Sequence, residues 1–133
     1  MDAQLRRFVR QRAGNRCEYC RLRQEHDRFH PFHIEHIVAR QHRGGDEADN
    51  LALACHQCNL HKGTNLSSFD PDTNEIVRLY HPRRDLWVDH FKLDGALVVG
   101  LTPTGRTTAW LLQMSSDERL EWRRVLLMLG QLD

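Results

Sequence analysis

Apolar and polar positions recur along this chain with two different periods, and the changes of period mark its elements. Leu5, Phe8 and Val9 fall at helical spacing behind Asp2, a capping residue type, so the pattern predicts a helix over 3–13 with Gly14 as its stop. The stem of Arg12 extends that face, and Arg6, Arg7 and Arg10 fall mostly on the outward side. Residues 29–38, FHPFHIEHIV, alternate and read as a strand with Pro31 near its start. A polar loop over 39–49 holds Gly44-Gly45, residues 50–54 lead onward, and 55–62 reads as a short helix ended by Gly63. Residues 64–85 show no clear period beyond a turn at Asp70-Pro71-Asp72. The pattern then predicts strands over 86–93 and 96–101 joined at Asp94-Gly95, with Trp87 and Phe91 on one face. Helices over 106–113 and 117–129 follow, with Leu120, Val125, Leu127, Met128 and the two helical tryptophans, Trp110 and Trp122, expected in the core.

With 133 residues and no internal repeat or linker, the reading is a single domain over 1–133. Residues 1–66 form its core and N-terminal helix, and 67–133 form a C-terminal extension. No apolar run reaches the roughly 18 residues of a membrane span, and the first residues lack the apolar stretch of a secretory signal. The expectation is a cytoplasmic protein with no membrane partner. A net charge of +1 is uninformative, but its distribution is not: residues 6–43 carry ten arginines against Glu18, Glu25, Asp27 and Glu35. Such an excess is either a solvated face or a phosphate-binding surface.

The four cysteines fall in two C-x2-C pairs, Cys17/Cys20 and Cys55/Cys58, separated by 34 residues. In a cytoplasmic chain this pattern favours metal over disulfide, and four thiolates make a closed tetrahedral site for structural Zn2+. A closed site leaves no position for a reacting water, so hydrolytic chemistry in this chain requires a different metal.

Between and beyond the pairs stand His33-Ile34-Glu35-His36-Ile37, Gly44-Gly45, Asp49-Asn50-Leu51 and Cys58-Asn59-Leu60-His61-Lys62. This ordered set, from Cys17 to Lys62, resembles the HNH endonucleases, a family with a ββα-metal, treble-clef-like core. The resemblance implies an α+β fold: a zinc-stapled ββα core with the C-terminal hairpin and helices packed on it. It also implies His36 as general base, a residue type whose ordinary pKa of about 6.5 leaves it able to accept a proton near neutrality. Glu35 and Asn59 would hold Mg2+ or Mn2+ through hard oxygen donors, and Asn50 would brace the loop and orient the base. Helical periodicity supports the placement, since Asn59 lies about 100° round from Cys58 and can face the strand bearing Glu35 and His36. Lys62, Arg40, Arg43, Arg6 and Arg10 are the expected nucleic-acid contacts, Lys62 having a competing reading as a solvated helix-end lysine. His33 is a candidate auxiliary ligand, His56 and His61 are candidate contacts to nucleic acid or water, and Arg83 and Arg84 would lengthen the phosphate track.

The function implied is metal-dependent hydrolysis of phosphodiester bonds in nucleic acid, with DNA the expected substrate. The alternatives are a non-catalytic zinc finger that holds nucleic acid and a zinc-stapled protein-interaction domain. Only the enzyme has use for Glu35, His36, Asn50 and Asn59 together.

Overall fold

The computed structural model describes residues 1–133, which pack as two compact units, 1–66 with 81–85 and 67–80 with 86–133. In the first unit, helix α1 (Ala3–Arg12) starts where Asp2 accepts a hydrogen bond from the Leu5 amide at 2.7 Å. It buries Val9, while Phe8 stays half exposed beneath the Arg12 guanidinium. Strand β1 (His33–His36) pairs antiparallel with β2 (Leu51–Ala54), with Glu35 opposite Ala52 and His36 opposite Leu51. Helix α2 (His56–Lys62) follows directly, capped by the Cys55 sulfur, and completes a ββα unit whose β2 residues are all buried.

Strand β1 is shorter than the alternation predicts. The Asp27 carboxylate accepts from the Phe29 and His30 amides, and Gln24 Oε1 accepts from the Phe32 amide. These side chains occupy donors that a longer ladder would have used.

In the second unit, β3 (Ser67–Phe69) and β4 (Ile76–Arg78) form a hairpin in the stretch that carries no clear period. Asp70 closes its loop by accepting from the Asp72 amide and from Arg106. The predicted strand over 86–93 is a helical turn, α3 (Trp87–His90), followed by β5 (Phe91–Asp94). The ladder ends with the Leu101 amide donating to the His90 carbonyl at 2.7 Å, because Thr102 then caps the following helix and leaves residues 86–89 without a partner strand. A Cβ on Gly105 would lie 2.0 Å from that same carbonyl. Strand β5 pairs with β6 (Leu97–Gly100), and the turn centres on Gly95-Ala96, with Gly95 at φ 59°, one residue beyond the expected pair.

Helix α4 (Pro103–Leu111) begins earlier than predicted because Thr102 caps it and Pro103 fits its first turn. Helix α5 (Asp117–Met128) buries Arg119, Arg123 and Leu126; Leu120 and Trp122 are half-buried, whereas Val125, Leu127, Met128 and Trp110 of α4 are exposed, contrary to the expected core face. The guanidiniums decide the rotation: Arg119 donates to the carbonyls of Leu112 and Gln113, and Arg123 to that of Met114 at 2.6 Å. Those carbonyls follow the last turn of α4 and would otherwise be orphaned. No helix is long and apolar enough to cross a membrane.

Candidate functional site

The two cysteine pairs converge in the first unit. All four Sγ atoms lie within 4.8 Å of one another and are buried. The Cys20 and Cys55 sulfurs are 3.6 Å apart, close to the about 3.8 Å separating ligands of a tetrahedral zinc with bonds of about 2.3 Å. Each pair makes the same local knuckle, with the Cys20 amide donating to Cys17 Sγ and the Cys58 amide to Cys55 Sγ, both at 3.4 Å. Burial pushes the Cys17 and Cys58 thiols well above the ordinary thiol range. The donor set, its closure and its spacing therefore fit a four-thiolate zinc site.

A second group of residues surrounds an open concavity of about 360 Å³. It is lined by Ile34, Glu35 and His36 of β1, Asn59 of α2 and the ends of the loops at Arg40 and Thr64. Period-two alternation turns Glu35 inward, where it is 5% exposed, and leaves His36 partly open. Glu35 Oε2 accepts the Tyr19 hydroxyl at 2.7 Å, and Oε1 lies 2.5 Å from Lys62 Nζ. Burial raises the Glu35 pKa, and the charge and hydrogen bond of Lys62 oppose that rise most strongly. Burial, reinforced by the Glu35 charge, pushes the Tyr19 phenol well up, so Tyr19 remains a donor.

His36 Nε2 lies 2.7 Å from Asp46 Oδ1, and Arg40 donates to both Asp46 oxygens at 3.0 and 3.2 Å. The His36 hydrogen bond, helped by Arg40, lowers the Asp46 pKa. Asn50 works as a clasp: its Oδ1 accepts from the Val38 amide, and its Nδ2 donates to the Val38 and Gly45 carbonyls at 3.0 and 2.8 Å. This clasp draws the loop so tightly that a Cβ on Gly44 would lie 1.7 Å from the Val38 oxygen, so only glycine fits there.

The remaining predicted residues fall in different places. Lys62 is 2% exposed, bonds the Ile37 carbonyl at 3.0 Å and neutralises Glu35, so it is internal and not at a phosphate-accessible surface. Arg10 donates to the Phe32 carbonyl at 2.9 Å. Arg6 and Arg43 are exposed. His33 does not reach the concavity but pairs with His56, ring nitrogens 3.3 Å apart, and His30 stacks on His56. Arg83 ion-pairs with Glu18, whose other oxygen accepts the Leu53 amide. Arg83 and Arg84 line a second hollow with Arg43, Gly44 and Gly45.

Residues missed by sequence reasoning are Tyr19, Asp46, Glu18 and Arg12, the last donating to the Ala48 and Leu51 carbonyls at 3.0 and 2.6 Å. For Asp46 the available signal was its position beside Gly44-Gly45 in the loop that joins β1 to β2. Tyr19 and Glu18 carried none, since a position between two zinc-type cysteines says nothing of its contacts.

Comparison with known proteins agrees with this geometry. Residues 17–65 match the family model described as HNH endonuclease. The chain is also similar to Septu protein PtuB of Bacillus thuringiensis, 26% identical over 117 residues, which cover 86% of this chain and 42% of that protein. This chain thus spans less than half the length of that relative. No solved structure matches. The matched segment contains both cysteine pairs, the antiparallel pair β1–β2 and helix α2, and residues 17–65 are a domain of the HNH endonuclease family.

Proposed function

We propose that this chain is a cytoplasmic, metal-dependent endonuclease that hydrolyses phosphodiester bonds in nucleic acid, with DNA as its substrate. One observation carries the reading: Glu35, His36 and Asn59 line a single open concavity, apart from the closed cysteine cluster. A nucleic-acid-binding zinc finger has no use for that grouping. The cysteines would hold Zn2+ as a staple.

Glu35 and Asn59 would hold Mg2+ or Mn2+, and the fit rests on the chemistry of the donors. They offer a carboxylate and an amide oxygen, hard donors of the type such a cation takes, on the lining of one concavity. When bound, the cation supplies positive charge against the phosphate and the leaving oxygen. His36 accepts the proton of the attacking water. Lys62 opposes the protonation that burial favours at Glu35, Tyr19 fixes the orientation of that carboxyl group, and Asn50 fixes the loop carrying Asp46. Arg40, Arg43 and Arg6 supply positive charge for the phosphate backbone.

The test is a metal-titrated cleavage assay on supercoiled, linear and single-stranded DNA and on RNA, comparing wild type with His36→Ala. General-base catalysis is worth about 10²–10⁴-fold. The variant is therefore expected to lose about that much single-turnover rate while keeping its zinc, fold and salt-sensitive binding. Equal rates for the two proteins would leave the zinc-finger reading as the better account.

A further inference from the structure

Neutral imidazole has one N–H and one lone pair, and a neighbour that can only accept decides which nitrogen carries the proton. His36 Nε2 meets a carboxylate oxygen at 2.7 Å, and the Arg40 guanidinium, bonded to both oxygens, keeps that carboxylate charged. Nε2 must then be the donor, and Nδ1 is left as the only lone pair on the ring. We infer that Asp46 is a positioning residue that locks His36 as the Nε2–H tautomer and so makes Nδ1 the atom that takes the proton. The inference rests on His36 acting as the base and specifies how.

The same contact works during the step. A proton passes from water to Nδ1, the Nε2 proton stays on the ring, and the resulting imidazolium faces a carboxylate already in place. Asp46 itself stays ionised throughout. The contact also accounts for Asn50, which does not bond His36. Asn50 holds the Gly45 carbonyl at 2.8 Å, and the next residue in the chain is Asp46. On the other side it grips Val38, two residues past His36. Asn50 thereby sets the distance between the imidazole and its carboxylate from both ends of the loop.

The test reads the ring directly and then its consequence. Ring-nitrogen-15 spectra of the zinc-loaded full chain, with His36 assigned by its disappearance in His36→Gln, should show a single Nε2–H tautomer. Asp46→Ala should give a mixture of tautomers. It should also lower the single-turnover cleavage rate at saturating nucleic acid by about 10–100-fold, less than the about 10⁴-fold seen when a fully buried orienting aspartate is neutralised. Zinc content, thermal midpoint and nucleic-acid affinity should stay at wild-type values, which a merely structural role would not predict. Asp46→Asn presents either an oxygen or an N–H to Nε2 and so no longer dictates the tautomer. It should also lose the single Nε2–H form and cut more slowly than wild type, and it serves if the alanine variant folds poorly. An Nε2–H tautomer that persists without the carboxylate, or an Asp46→Ala protein that cuts as fast as wild type, overturns the assignment. A wild type with the locked tautomer that cuts no nucleic acid would overturn the nuclease reading and leave the positioning role intact.

Discussion

The two compact units of this chain secure small cores by different means. Each is at or near the roughly 70–80 residues below which apolar burial alone rarely suffices. The first unit gathers four cysteines around one point and places a buried ion pair, Glu35–Lys62, beside it. The second has no cysteine and turns long cations inward: Arg119 and Arg123 of α5 satisfy the carbonyls after α4, and Arg106 binds the buried Asp70. The difference shows what chemistry each unit can host. A metal held by the four cysteines would take over the work of a larger core, and so would let the first unit leave an open concavity with polar side chains around it. The second unit spends its charged groups on its own backbone and loops.

The largest effect should come from the staple. Structural zinc contributes about 10–16 kcal/mol of binding free energy in small zinc domains. Cys58→Ser should therefore remove zinc and cost the first unit its cooperative fold, measured by zinc content and by hydrogen exchange over residues 1–66. A zinc-free variant with wild-type exchange protection there would show that the cysteines do not hold the unit together.

A smaller loss is expected at the ion pair. Lys62→Met keeps the apolar stem but leaves the Glu35 carboxylate buried without a cation, which typically costs about 3–5 kcal/mol. Adding Glu35→Gln should recover most of that loss, because the burial of an unpaired charge is what destabilises. Denaturant unfolding of the single and double variants reads the coupling, and additive losses would mean that the pair is not the relevant interaction.

The smallest effect belongs to the second unit and to pH. The Asp70 carboxyl is held below its ordinary range, first by the Arg106 hydrogen bond and then by the Asp72 amide. A depressed folded pKa contributes stability above the unfolded carboxyl value of about 3.9, and this contribution is lost as pH falls through the folded value. Acid titration should thus destabilise residues 67–80 and 86–133, and Arg106→Gln should flatten that response. An unchanged acid response in the variant would remove Asp70–Arg106 from the account.

Much of the first unit was legible because its signals are local. Two C-x2-C spacings bring their four sulfurs to one point, and Cys55 and Cys58 on one helical turn place Asn59 toward β1. The hairpin at Gly95 and the helix caps at Asp2 and Thr102 were likewise near-neighbour effects, although only the first cap was anticipated. The second unit was less legible. Val125, Leu127 and Met128 are apolar and yet exposed, because hydropathy counts an arginine as outward even where carbonyls await it. The strand before Phe91 failed for a similar reason, since its partner strand ends where Thr102 caps α4, and that pairing is not visible in the residues before Phe91.

The sequence by itself determined the cysteine quartet, the order of the HNH-like residues and the ββα succession, since each depends on residue type and short spacing. Only the tertiary structure decided the partners. It turned Lys62 inward onto Glu35, gave His36 a carboxylate from a residue ten positions away, and bound Asn50 to both ends of the loop between them. The physical reason is that a charged side chain has no preferred direction until something desolvates it. Spacing can say that lysine, glutamate and histidine are present near one another. Which charge is buried, and against which partner, is settled when β1, the loop and α2 close around them.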